Sequence, residues 1–133
     1  MKKVLSFIFA VLICIFLVSC GGEKSDIDLT KMNAAMRYAT VLSMTENPEV
    51  YLGRTVLISG KYIKNYYEPT EKYYHFVSGY DDTGCCTWGY EFILDENLFS
   101  YPEENSNVTL RGTIRQYTEH DAVYYYIDVD TLK

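Results

Sequence analysis

Val108-Thr109-Leu110-Arg111-Gly112-Thr113-Ile114-Arg115-Gln116-Tyr117, followed by Val123-Tyr124-Tyr125-Tyr126-Ile127-Asp128-Val129, carries the reading of the fold. In the first stretch Val108, Leu110, Gly112 and Ile114 alternate with Thr109, Arg111, Thr113 and Arg115. In the second, Val123, Tyr125, Ile127 and Val129 alternate with Tyr124, Tyr126 and Asp128. Successive side chains of a strand point to opposite faces, so a period of two marks a sheet with one apolar side. The short polar link Thr118-Glu119-His120-Asp121 makes the two stretches a hairpin, with His120 at its exposed tip.

The same period recurs upstream. Thr55–Tyr62 sets Val56, Ile58, Gly60 and Tyr62 on one face, and Lys72–Ser78 sets Tyr74 and Phe76 against Tyr73, His75 and Val77. Tyr90–Leu94 is a short apolar strand. Turn-rich segments, Tyr80-Asp81-Asp82-Thr83-Gly84 and Tyr101-Pro102-Glu103-Glu104-Asn105, separate these runs. Gly60 and Gly112, inside strands, suit the bends by which a small sheet closes on itself. Ahead of the strands, Leu29, Met32, Met36, Ala39 and Leu42 fall at helical spacing between Asp28 and Glu46, and Asn47-Pro48 supplies a stop. The expected architecture is mainly β: a five-stranded OB-type Greek-key barrel preceded by one N-terminal helix whose methionine stripe packs into the core.

The chain opens Met1-Lys2-Lys3 and continues through an apolar run from Val4 to Val18. That run is short of the roughly 20 residues that span a membrane, and its basic flank suits a secretory signal. Leu17-Val18-Ser19-Cys20 resembles the lipobox of bacterial lipoproteins. The resemblance implies a signal peptide over 1–19, diacylglycerol on the Cys20 sulfur, a tether over 20–27, and a helix-plus-barrel domain over 28–133. It also implies attachment outside the cytoplasm, to an outer leaflet or outer membrane, with the lipid on Cys20 as the membrane contact. Gly21 stands where Gram-negative relatives of this kind carry the aspartate of inner-membrane retention.

Charge narrows the partners. The formal charge is −6, and losing Lys2 and Lys3 with the signal makes it −8. A surface of that sign repels phosphate backbones, so no nucleic-acid partner is expected. All 14 tyrosines follow Cys20, several in clusters such as Tyr66-Tyr67, Tyr73-Tyr74 and Tyr124-Tyr125-Tyr126. Tyrosine suits half-buried sheet surfaces and also ligand-stacking walls.

Two further motifs carry a resemblance. Asn47-Pro48-Glu49-Val50-Tyr51-Leu52-Gly53-Arg54-Thr55-Val56-Leu57-Ile58-Ser59-Gly60 is similar to the segment that leads into the first strand of OB-fold domains in bacterial envelope proteins. Cys85-Cys86-Thr87-Trp88-Gly89-Tyr90-Glu91-Phe92 resembles a C-C-x-x-G-x-E-F motif of small Firmicutes-type lipoproteins. The resemblance implies an OB fold over roughly 28–133 and brings no ligand with it.

Once Cys14 leaves with the signal and Cys20 is lipidated, Cys85 and Cys86 are the remaining thiols. Four readings stand open. They can be structural thiols, or a strained and labile disulfide, because neighbouring Cα atoms lie about 3.8 Å apart where disulfides usually need at least about 4.4 Å. They can ligate zinc if a turn brings both sulfurs to one side, with His75 as third ligand and Asp81 or Asp82 as fourth. They can also crosslink to a partner. No G-x-S-x-G elbow, Gly-rich phosphate loop or H-E-x-x-H motif occurs, so no catalytic residues are assigned. The leading expectation is a non-enzymatic binding or accessory module serving a transporter or envelope assembly. Its expected ligand face comprises Tyr62, Tyr74, Trp88 and Tyr90, with Trp88 also suited to buried anchorage. The alternative is metal handling or thiol redox through Cys85 and Cys86.

Overall fold

The five strands expected from alternation form, each longer than the alternation marks, and the one expected over Tyr90–Leu94 is shifted to Thr87–Ile93. The computed structural model describes residues 24–133, so the signal segment, Cys20 and the start of the tether lie outside the described residues. A two-residue strand β1 (Ile27–Asp28) comes first. Helix α1 (Ala34–Glu46) follows, then β2 (Thr55–Tyr67), β3 (Lys72–Tyr80), β4 (Thr87–Ile93), β5 (Asn107–Glu119) and β6 (Ala122–Leu132). Among the described residues no helix is long and apolar enough to cross a membrane.

The sheet closes because β2 has two partners. Its first half, Thr55 to Lys61, pairs antiparallel with β5, and its second half, Lys61 to Tyr67, pairs antiparallel with β3. From β3 the ladder passes to β4, then to β6 by a short parallel pairing at Phe92 and Ile127, then to β5 and back to β2. The result is a closed five-stranded barrel, with β1 added parallel to β2 as an extra strand. Gly60 and Gly112 stand where the neighbouring strand's backbone comes closest to them. A Cβ at Gly60 would lie 2.3 Å from the Ser78 carbonyl oxygen, and one at Gly112 would lie 2.2 Å from that of Asp128. The second position adjoins a register shift between Arg111 and Gly112. Larger residues would push the wall open at both points.

Alternation fills the barrel with Val56, Ile58, Tyr62, Val77, Trp88, Tyr90, Phe92, Leu110, Ile114 and Ile127. The helix adds Val41 and Met44 to this core from over β4. It begins six residues later than its apolar spacing suggests, because Asp28 belongs to β1 and caps a 3-10 turn over Leu29–Lys31 by accepting the Thr30 N–H at 3.1 Å. Asn33 is the true N-cap, accepting the Met36 N–H at 2.9 Å. This start rotates the expected stripe outward: Met36 is 56% exposed and Leu42 41%. The methionine that enters the core is Met44. At the N-terminal edge, Asp26 and Thr55 exchange hydrogen bonds of 2.8–2.9 Å, so the last residues of the expected tether already belong to the fold.

Candidate functional site

Two hairpins run on past their neighbours and frame a cleft. The arms of β2 and β3 stay paired to Tyr67 and Lys72, whereas β4 joins β3 only from Phe76 onward. The arms of β5 and β6 stay paired to Glu119 and Ala122, and turn through His120 and Asp121 at φ 47° and 63°. A two-residue loop with both φ positive is the turn whose twist matches a hairpin. Between the two tips lies a cavity of about 540 Å³.

Strand phase decides which side chains reach it. Val77 and Tyr90 pair with each other and point into the barrel, so the next pair, Phe76 and Glu91, points out. Tyr74, two residues before Phe76, shares that outer face. These three make the floor. Tyr66, Tyr67, Pro69 and Thr70 make the wall from the β2–β3 hairpin, and Tyr117, Glu119, His120 and Tyr124 the wall from the β5–β6 hairpin. An adjoining hollow of about 400 Å³ shares Tyr74, Glu91, Tyr117 and Glu119, and extends toward Lys72, His75, Glu96 and Tyr101.

The two carboxylates of the cleft differ in what holds them. Glu119 accepts from Lys72 Nζ at 2.7 Å and from the Tyr74 hydroxyl, and these bonds hold its pKa below the usual range. Glu91 is half-buried and accepts the Tyr117 hydroxyl at 3.1 Å to each oxygen. Burial pushes its pKa up; the Tyr117 bond opposes that, and the Glu119 charge adds to it. Among the described residues no lysine, arginine or histidine forms an ion pair with Glu91. Burial and the neighbouring Glu91 also push the Tyr117 hydroxyl well above its ordinary pKa.

The residues singled out from the sequence part company here. Of the expected ligand face, Tyr74 lines the cleft. Tyr62, Trp88 and Tyr90 are 2%, 6% and 5% exposed and belong to the core, because Tyr62, Val77 and Tyr90 are register partners on the inward face. Trp88 is an anchor whose indole N–H donates to the Tyr80 carbonyl at 3.3 Å. The Tyr90 hydroxyl is buried without a hydrogen-bond partner among the described residues, and burial pushes its pKa up to about 12.

His75 does not join the cysteines. Its Nδ1 shares a 2.8 Å hydrogen bond with the Tyr62 hydroxyl, and its ring stacks on Tyr101 with centroids 3.7 Å apart. Burial pushes its pKa down. It stands six positions before Asp81 along extended chain, a span of about 20 Å. Cys85 and Cys86 lie in the turn after β3, with free thiols 3.1 Å apart. Asp81, not His75, completes that group.

Glu91, Tyr117 and Glu119 are not among the residues singled out from the sequence. The one signal for Glu91 is a carboxylate interrupting an otherwise apolar run, Tyr90-Glu91-Phe92-Ile93-Leu94. No protein-family model, curated protein or solved structure matches the chain.

Proposed function

We propose that this chain is a lipid-anchored, extracytoplasmic and non-enzymatic binding module of OB type. Its cleft takes a cationic group presented by a partner in the cell envelope, such as a transporter or an envelope assembly. The observation that carries this reading is Glu91: a half-buried carboxylate, framed by tyrosines, with no cation of its own among the described residues. A carboxylate held away from water is costly until it is paired. An ammonium or guanidinium group entering the cleft would pair with it, and tyrosine faces attract the same charge.

The OB assignment has its own support. Counted from β2, the floor lies on the second and third barrel strands, and the walls are the first–second and fourth–fifth connections. OB barrels bind their ligands on that face and between those loops. Oligonucleotides, common ligands of such barrels, fit poorly against two carboxylates and an acidic surface. Glu119 and Glu91 already hold Lys72, Tyr74 and Tyr117 in place, which favours recognition over catalysis. Lipid attachment through Cys20 rests on the lipobox resemblance.

Calorimetric titration with short arginine- or lysine-bearing peptides tests the reading, with citrulline and acetyl-lysine peptides as neutral counterparts. Basic peptides should bind, and Glu91→Gln or loss of the peptide charge should weaken binding about tenfold, equivalent to about 1.4 kcal/mol. Equal binding of charged and neutral peptides, or an unchanged affinity in Glu91→Gln, would remove the cationic assignment.

A further inference from the structure

The turn joining β3 to β4 carries a second group of side chains, separate from the cleft and from the reading given to it. Asp81, Cys85 and Cys86 bring one carboxylate oxygen and two sulfurs within 4.8 Å of one another. The sulfurs are 3.1 Å apart, and Cys85 Sγ is 3.8 Å from Asp81 Oδ2. On a strand, neighbouring cysteines would point to opposite faces. Here the chain leaves β3 at Tyr80, and Gly84, at φ 73°, lets it turn back before β4 begins at Thr87. Both sulfurs therefore emerge on one side.

The carboxylate is held in position to meet them. The Cys86 N–H donates to Asp81 Oδ1 at 3.3 Å, and the Thr83 hydroxyl reaches the carboxylate at 2.9 Å. The Asp81 N–H closes the loop onto the Cys86 carbonyl at 2.9 Å. Cys85 is exposed and Cys86 half-buried, so an ion can approach from solvent.

The donor set selects the ion. Magnesium and calcium take shells of oxygen, and monovalent copper prefers sulfur alone, whereas zinc accepts thiolate sulfur and carboxylate oxygen together. Two thiolates at about 2.3 Å from a tetrahedral zinc stand about 3.8 Å apart, so the pair needs to open by less than about 1 Å. A disulfide between neighbours demands more, because their Cα spacing is below the usual range. We propose that Asp81, Cys85 and Cys86 form an exposed three-ligand site for one thiophilic divalent cation of the zinc type, with solvent at the fourth corner. Each thiol releases its proton to solvent as its sulfur bonds the ion, the carboxylate adds one oxygen, and no electrons are transferred. His75, about 20 Å away along β3, takes no part.

The test uses the full chain purified in detergent, reduced and stripped of metal. Titration with cobalt(II) should produce a thiolate-to-cobalt charge-transfer band that saturates at one equivalent and is displaced by zinc. Zinc affinity, measured by competition with a chromophoric chelator, should fall about 100-fold in Cys85→Ser and in Cys86→Ser, and about tenfold in Asp81→Asn. Circular dichroism confirms that each variant is folded. His75→Asn should leave the affinity unchanged. A fully reduced protein that takes up no stoichiometric cobalt or zinc overturns the site, whatever disulfide it forms on oxidation. So does an affinity that Asp81→Asn leaves intact or that His75→Asn reduces.

Discussion

At the scale of single residues, the stack formed by Tyr62, His75 and Tyr101 links the barrel interior to the rim of the cleft. Burial lowers the folded-state pKa of His75, with Lys64 adding to the shift and Glu96 opposing it. Below its unfolded pKa, near 6.5, the unfolded chain therefore binds more protons than the folded one, and stability rises with pH. The contribution is complete above about pH 6.5 and is lost as pH falls through the folded pKa. Denaturant midpoints measured from pH 7.5 down to 5 should decline in the parent, and the decline should be smaller in His75→Asn. Parallel declines would mean that the imidazole is not protected from protonation. Glu91, whose pKa moves up, contributes with the opposite sign, so the comparison of slopes isolates His75 better than absolute midpoints do. Among the cleft residues, Tyr74 was accessible to sequence reading, since it shares the outer strand face with Phe76. Glu91 was not, because alternation gives the phase of a strand without saying that two hairpins will fold over its outer face.

At the scale of elements, the helix shows what spacing alone resolves and what it does not. Its existence and its end at Asn47-Pro48 were legible, since a proline bars helical geometry in the residue before it. Its start was not. Leu29 and Met32 fall in helical register with Met36, yet they lie in and just after a 3-10 turn capped by Asp28. Counting the stripe from them turned the wrong side inward. Met44→Ala should therefore cost about 2–5 kcal/mol of stability in chemical denaturation. Met36→Ala should change it by less than about 0.5 kcal/mol. The reverse order would restore the stripe as the packed face. The strands follow the same logic. Period-two alternation marked the segments inside the barrel, where one face is buried. It faded along Asn65-Tyr66-Tyr67, where the arms of the β2–β3 hairpin turn both faces to solvent or the cleft. Those arms build one wall of the candidate site, so the pattern was weakest where the site is made.

At the scale of the whole molecule, an acidic barrel carries a tyrosine-walled cleft at one end of β3 and a thiol-bearing turn at the other. Closure was foreshadowed by two glycines inside strands, each now seen against a carbonyl of the neighbouring strand. The proposed anchor belongs to this scale as well. Two acyl chains on Cys20 would hold the protein at a membrane surface. Cys20→Ser, expressed in a bacterium that processes lipoproteins, should leave the membrane fraction and lose the diacylglycerol mass. Retention in the membrane without that mass would refute lipidation. The long-range field of the acidic surface favours encounter with cationic partners, and that preference should weaken as salt rises. The most direct test of the account is an aromatic proton–carbon NMR titration with an arginine-bearing tripeptide. Tyr74, Tyr117 and Tyr124 should shift together and saturate with one dissociation constant, while Tyr62, Tyr90 and Trp88 hold still. Shifts centred on Trp88 or on the Cys85–Cys86 turn, or no saturable shift at the cleft tyrosines, would contradict the account.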